Sequence, residues 1–323
     1  MKTKLYDVVA LGELLIDFTQ NGESAQGNGL FEANPGGAPC NVLAMLNNLG
    51  KKTSFIGKVG NDQFGLMLKA TLEELGIGTE NLMLDNEVHT TLAFVHNSKD
   101  GDRDFSFYRN PGADMMLKAG EIQENLIEKA KIFHFGTLSM THKGVREATK
   151  KALDIAKKSG ILISFDPNLR ESLWDTLEEA REQVIYGLAY ADVLKISDNE
   201  IQWLTGERDY TAGVKKIRKI KNIPLILVSL GKEGSRAYYK DQMVEVKAFL
   251  HGNTIETTGA GDTFCACVLN YVLEHGIDDL TENNLKEMLT FANAAASMVT
   301  TKKGALRVMP KKDEIEQFLA ARN

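Results

Sequence analysis

The sequence predicts an α/β protein: a mostly parallel sheet with helices on both faces, plus a small second β-sheet. Three observations carry this. Short apolar strands alternate with helical stretches, polar residues gather just beyond those strands, and two segments break the rhythm as extended chain. The 323 residues are 43% hydrophobic and 25% charged, which suits one large folded domain spanning 1–323 and excludes wholesale disorder. A formal charge of -6 gives no support for holding a nucleic-acid backbone by bulk charge, although a local pocket can still take a small anion. No apolar run approaches the roughly 18 residues that span a bilayer, and the opening MKTKLYDVVALGELLID lacks a signal-cleavage pattern. The expectation is a soluble, cytoplasmic protein with no membrane partner.

The elements follow in order. Tyr6–Leu11 reads as a buried strand, and Pro39–Leu49 as a helix stopped by Gly50. Thr53–Val59 is the next strand. Asp62–Leu75 is an amphipathic helix with Leu66, Leu68, Leu72 and Leu75 as its apolar positions and Gly76 as its stop. Lys131–Phe135, Ile161–Phe165, Val193–Ile196 and Leu225–Ser229 are further short strands separated by helical stretches. Glu13–Phe31 is polar, glycine-bearing and not helical, and Thr90–Tyr108 reads as two strands joined at Lys99-Asp100-Gly101-Asp102. A hairpin has no place in a parallel core. Both segments therefore read as a β-lid, over about 12–36 and 90–117, with a plain antiparallel edge extension as the alternative. Cys40, Cys265 and Cys267 are too few for a disulfide framework, and Cys265-Ala-Cys267 reads as small core residues, not as a metal pair.

In open α/β sheets a ligand lies beyond the carboxyl ends of the strands. Gly12, Glu13 and Asp17 follow the first strand, and Asp166-Pro167-Asn168-Leu169-Arg170 a later one. Ser197-Asp198-Asn199-Glu200 and Leu230-Gly231-Lys232-Glu233-Gly234 follow the next two. This is the composition of a polar cleft. The sharpest local feature is Thr257-Thr258-Gly259-Ala260-Gly261-Asp262 ahead of the apolar helical stretch Thr263–Leu273. A small-residue loop opening a helix presents free N–H groups and the positive end of the dipole to an anion. Asp262 reads either as an N-cap or as a carboxylate that takes the proton of an attacking hydroxyl. Neither a G-x-x-x-x-G-K-[ST] loop nor a G-x-G-x-x-G after a strand is present.

Pro35-Gly36-Gly37-Ala38-Pro39-Cys40-Asn41-Val42, Gly57–Gly65 and Glu256–Asp262 resemble the signatures of the ribokinase-like (PfkB-type) carbohydrate kinases. Phe107–Asp114 and Asp166–Arg170 with Trp174 resemble its fructokinase branch, and the likeness runs from Asp7 to about Pro310. The resemblance implies a ribokinase-like fold and ATP-dependent phosphorylation of a sugar hydroxyl, most simply fructose to fructose 6-phosphate. It implies Asp262 as general base and Gly259, Ala260 and Gly261 as the anion hole. It assigns Asp17, Gly36, Gly37 and Asn41 to the sugar, brings Arg109 on the lid to the sugar, and brings Arg170 to sugar or phosphate. Ser229, Gly231, Gly234 and Asn293 correspond to the nucleotide side, and Ser197 with Glu200 to the carboxylate that organises the waters of Mg²⁺.

Two departures stand out. Ser197 replaces the family's usual Asn, and Glu256 replaces the usual Asp at a position that helps hold a monovalent cation, which leaves K⁺ dependence open. The rival readings are a kinase for 2-keto-3-deoxygluconate or another furanose, and a non-catalytic sugar sensor. Leu92, Phe94, Phe105 and Phe107 either cover the substrate or clasp a second lid in a homodimer.

Overall fold

The computed structural model describes residues 3–97 and 103–322; the expected turn Lys99-Asp100-Gly101-Asp102 and the side chain of Phe105 lie outside the described part. Among the described residues, thirteen strands form two sheets. They are β1 Tyr6–Leu11, β2 Leu15–Glu23, β3 Gly29–Gly36, β4 Thr53–Gly60, β5 Gly78–Asp85, β6 Leu92–Asn97 and β7 Arg103–Tyr108. Then follow β8 Ala130–Phe135, β9 Leu162–Phe165, β10 Val193–Ser197, β11 Leu225–Ser229, β12 Ser235–Tyr239 and β13 Gln242–Val246.

The large sheet runs β5-β4-β1-β8-β9-β10-β11-β12-β13. It is parallel from β5 to β11, and β12 and β13 join antiparallel. The change of direction follows from chain length, because only Leu230–Gly234 joins β11 to β12 and a parallel crossover needs a dozen or more residues. Gly234 holds φ +114 there, and a Cβ on it would sit 2.1 Å from the Val246 carbonyl oxygen, so only glycine fits.

Strand alternation distributes the core. Val8 and Ala10 point into one apolar cluster and Val9 and Leu11 into another, one on each face of the sheet. The first cluster lies under helices Ala38–Asn48, Gln63–Glu74, Ala260–His275 and Glu282–Val299, and the second under Lys143–Lys158 and Leu177–Leu188 among others. In Gln63–Glu74 the expected apolar stripe is narrower than the leucines suggest. Leu68 and Leu72 are fully buried while Leu66 is 50% exposed, since two residues from Leu68 is the opposite side of a helix.

The small sheet runs β3-β2-β6-β7, so the two segments that broke the sequence rhythm meet in it. Only Gly12, Glu13 and Leu14 separate β1 from β2, which ties the small sheet to the carboxyl edge of the large one. Asp62 caps the helix Gln63–Glu74 by accepting from Gly65 N at 2.8 Å, and also accepts from Thr90 N and Thr90 Oγ1, fixing the entry to β6. The outer face carries an aromatic cluster: Phe94 stacks on Phe18 at 4.9 Å and meets Phe31 and Tyr108 edge-on. Among the described residues no helix is long and apolar enough to cross a membrane.

Candidate active site

The parallel strands of the large sheet end at one edge, and the small sheet stands over that edge. Between them is a cavity of about 330 Å³. Its walls include Asp17 and Phe107 from the small sheet, and Gly37 and Asn41 at the start of helix Ala38–Asn48. Arg170 comes from the loop after β9 and Lys195 from within β10, and Gly259, Gly261 and Asp262 from the start of helix Ala260–His275. A second cavity of about 300 Å³ adjoins it, lined by Ser197, Glu200 and Trp203, and shares Asn168, Arg170 and Lys195 with the first.

Two helix starts face each other here. Gly37 and Gly259 each precede a helix with positive φ, +126 and +77. Asp262 is therefore not the N-cap that an isolated reading allows. It lies in the first turn behind Gly259, is 8% exposed, and accepts a hydrogen bond from Asn41 Nδ2 at 2.8 Å. Burial pushes its pKa above the ordinary carboxylate value, against the opposing pull of Asn41, Lys195 and Arg170. Asn41 Oδ1 is buried with no hydrogen-bond partner among the described residues.

Several expected site residues do something more local. Gly36 does not line the cavity; a Cβ on it would stand 2.2 Å from Asp17 Oδ2, so its glycine makes room for the Asp17 carboxylate. Ala260 is also absent from the lining. The placement of Arg109 is a correction. Arg109 is 7% exposed and does not line the cavity, its guanidinium bonding Asp114, the Leu138 carbonyl and Thr141 Oγ1. A buried guanidinium needs such partners, and Asp114 five residues on supplies the counter-charge.

Ser229, Gly231 and Gly234 form the β11–β12 turn, away from both cavities. Asn293 spends its amide on packing: Oδ1 accepts from Ser235 Oγ at 2.9 Å and Nδ2 donates to the Val246 and Lys247 carbonyls.

Ser197 has a definite task. It N-caps helix Asp198–Thr205, and its N–H and hydroxyl both donate to Glu200 Oε2 at 2.8 Å, while Glu200 Oε1 accepts from Leu169 N at 2.7 Å. A carboxylate has about four acceptor sites, so Glu200 keeps capacity toward the second cavity. Glu256 is 9% exposed and accepts from Gly304 N at 3.1 Å.

Two buried charged groups at the site carried no assigned task in the sequence reading. Glu13 is 4% exposed and accepts from Ala38 N at 2.8 Å, and burial pushes its pKa up to about 7. Lys195 is 7% exposed and pairs with Asp166 at 2.9 Å. The available signal was a lysine inside the otherwise apolar run Val193–Ile196.

The family model for "pfkB family carbohydrate kinase" matches residues 6–312. "Probable fructokinase-2" of Arabidopsis thaliana is 41% identical over 314 residues, covering 97% of this chain and 95% of that protein. The crystal structure of a fructokinase with bound ATP from Xylella fastidiosa superposes with a TM-score of 0.88 at 29% identity, covering 98% of this chain and 99% of that one. A fructokinase double mutant from Vibrio cholerae O395, in its fructose, ADP and potassium ion bound form, gives 0.87 at 28% identity over 99% and 100%. With a family match over nearly all of its length, and Gly37 and Gly259 opening the two facing helices that the motifs announced, the chain belongs to the pfkB family of carbohydrate kinases.

Proposed function

We propose that this protein transfers the γ-phosphoryl group of ATP to a sugar hydroxyl, converting fructose to fructose 6-phosphate. The observation that carries the reading is the buried Asp262 carboxylate at an open helix start, facing Asp17 across a cavity of sugar size. Asp17 and Asn41 hold sugar hydroxyls, a carboxylate being able to accept two donors at once. Asp262 takes the hydroxyl proton. The sugar oxygen forms the new P–O bond as the bond to the β-phosphate oxygen breaks, and its electron pair leaves with ADP. The N–H groups at Gly259 and Gly261 receive the charge on the moving group, while the expected third donor, Ala260 N–H, is spent on the Thr257 carbonyl at 3.2 Å.

The second cavity suits the phosphates of ATP, and Glu200 suits a Mg²⁺ ion that keeps its waters. Mg²⁺ neutralises phosphate charge when bound. Ser229, Gly231, Gly234 and Asn293 bound the nucleotide's far end only through the turn and helix face they shape. Glu256 suits a monovalent cation beside the anion hole, as the potassium-bound relative suggests. The small sheet acts as a lid that excludes water from the transfer. Phe31 at 47% and Tyr108 at 66% exposure on its outer face support a lid-to-lid homodimer. Three buried free cysteines suit the reducing cytoplasm.

With Arg109 committed to Asp114, one of the two arginines that could meet a substrate carboxylate is absent from the cavity wall, which favours a neutral sugar over 2-keto-3-deoxygluconate. The test is ADP release from Mg-ATP with fructose, ribose, glucose and 2-keto-3-deoxygluconate, in K⁺ and in choline buffers. Turnover on fructose, faster in K⁺, is expected. Turnover confined to another sugar moves the substrate, and binding of a sugar with no turnover at all favours the sensor.

A further inference from the structure

Lys195 is a charged side chain in the interior of a strand, and nothing in the transfer chemistry above uses it. Its Nζ contacts Asp166 at 2.9 Å to Oδ2 and 3.2 Å to Oδ1. On its other side it stands 3.2 Å from where a Cβ on Gly261 would lie, so the ammonium reaches the small-residue loop at the open helix start. It borders both cavities, the one with Asp262 and the one with Glu200. A phosphoryl group passing from one cavity to the other has to pass this boundary.

We propose that Lys195 is a catalytic residue that donates a hydrogen bond to the transferred phosphoryl group, and that Asp166 is the positioning residue that holds its ammonium at the boundary. The proposal rests on the kinase reading given above. The charge arrangement supports it: Asp166 contacts this ammonium directly, and the charges of Glu200 and Asp262 act on it as well. Burial works against the charged form, but those carboxylates outweigh it and keep Lys195 protonated. Arg170 is the other cation that borders both cavities, and with three carboxylates acting on Lys195 the loss of its charge bears on the transfer itself. Lys195 keeps its protons throughout. The hydroxyl proton goes to Asp262 and the electron pair of the breaking bond leaves with ADP.

A buried lysine also supports folding, so the test separates the two roles. The variants are Lys195→Ala and the double variant Lys195→Met with Asp166→Asn, the latter leaving no unpaired buried charge. Folding is checked by thermal denaturation, and sugar and ADP binding by calorimetry with and without aluminium fluoride, which with ADP mimics the phosphoryl group in flight. Both variants are expected to bind sugar and ADP within about threefold of wild type. They lose affinity for ADP with aluminium fluoride, and kcat falls about 10²–10³-fold, as for removal of one preorganised donor. Ethylammonium is expected to restore part of kcat in Lys195→Ala. A folded double variant whose kcat and aluminium fluoride affinity stay within threefold of wild type overturns the proposal. So does a loss of kcat accompanied by unchanged affinity for the mimic and no amine rescue. Failure of the wild-type protein to phosphorylate any sugar is a separate result, and it removes the kinase reading itself.

Discussion

The helix beginning at Ala38 and the helix beginning at Ala260 start alike and end up doing different things. Each follows a glycine with positive φ, Gly37 and Gly259, and neither glycine can cap its helix with a side chain. At the first, Glu13 accepts from Ala38 N, so a buried carboxylate answers the positive helix end from within the protein. At the second no side chain caps the start, and its first turn opens on the cavity. One start is sealed by a carboxyl group of the chain, while the other has no capping side chain. The Asn41–Asp262 hydrogen bond joins the two. The lesson is that a Gly-Gly or Gly-Ala-Gly turn identifies a helix start, but the neighbouring carboxylate decides its use.

The largest effect belongs to the open start. Asp262→Asn keeps the bond geometry with Asn41 within reach of an amide but cannot take a proton. Turnover is expected to fall about 10²–10⁴-fold with the fold intact, measured by steady-state kinetics beside circular dichroism. Unchanged turnover in a folded variant ends the base assignment. The sealed start responds in stability instead. Gly37→Ala must keep φ +126 while its Cβ meets the Glu13 carbonyl oxygen at 2.4 Å, a combined strain and clash of about 2–5 kcal/mol by urea unfolding. A loss below about 1 kcal/mol would show that the turn relaxes easily.

The smallest effect concerns Glu13 and its pH dependence. Its pKa rises from 4.5 to about 7 on folding, so the folded state holds the proton more tightly than the unfolded chain does. Stability from this group is therefore present below pH 4.5 and is lost as pH rises toward about 7. Glu13→Gln cannot ionise and still offers an oxygen to Ala38 N. Its stability relative to wild type is expected to rise across that interval by about 1–3 kcal/mol. A pH-independent difference would show that Glu13 does not titrate there.

The sequence made the sheet legible because a parallel strand buried on both faces is a short apolar run, as in Leu225–Ser229. It missed β5, whose Gly78-Thr79-Glu80 opening has no apolar pattern, β12, whose Ser235-Arg236 opening is polar though mostly buried, and β13, an edge strand with exposed polar residues. At the site, the facing of Asp262, Asn41 and Asp17 was legible from motifs. The fate of Arg109 was not, since an arginine on a lid strand reads the same whether it meets a ligand or the Asp114 carboxylate. Lys195 was hidden for the opposite reason: it sits in a strand whose other residues are explained entirely by burial.

Because Asn168, Arg170 and Lys195 form a common wall between the two cavities, a charge brought to one side acts on groups that also line the other. Whatever charge one occupant brings to that wall changes the other's affinity, and thermodynamic linkage makes the change equal in both directions. On the proposed function, the ratio of a sugar affinity measured on the protein alone to one measured with nucleotide present is expected to differ from one, and it measures how strongly the shared wall couples acceptor to donor.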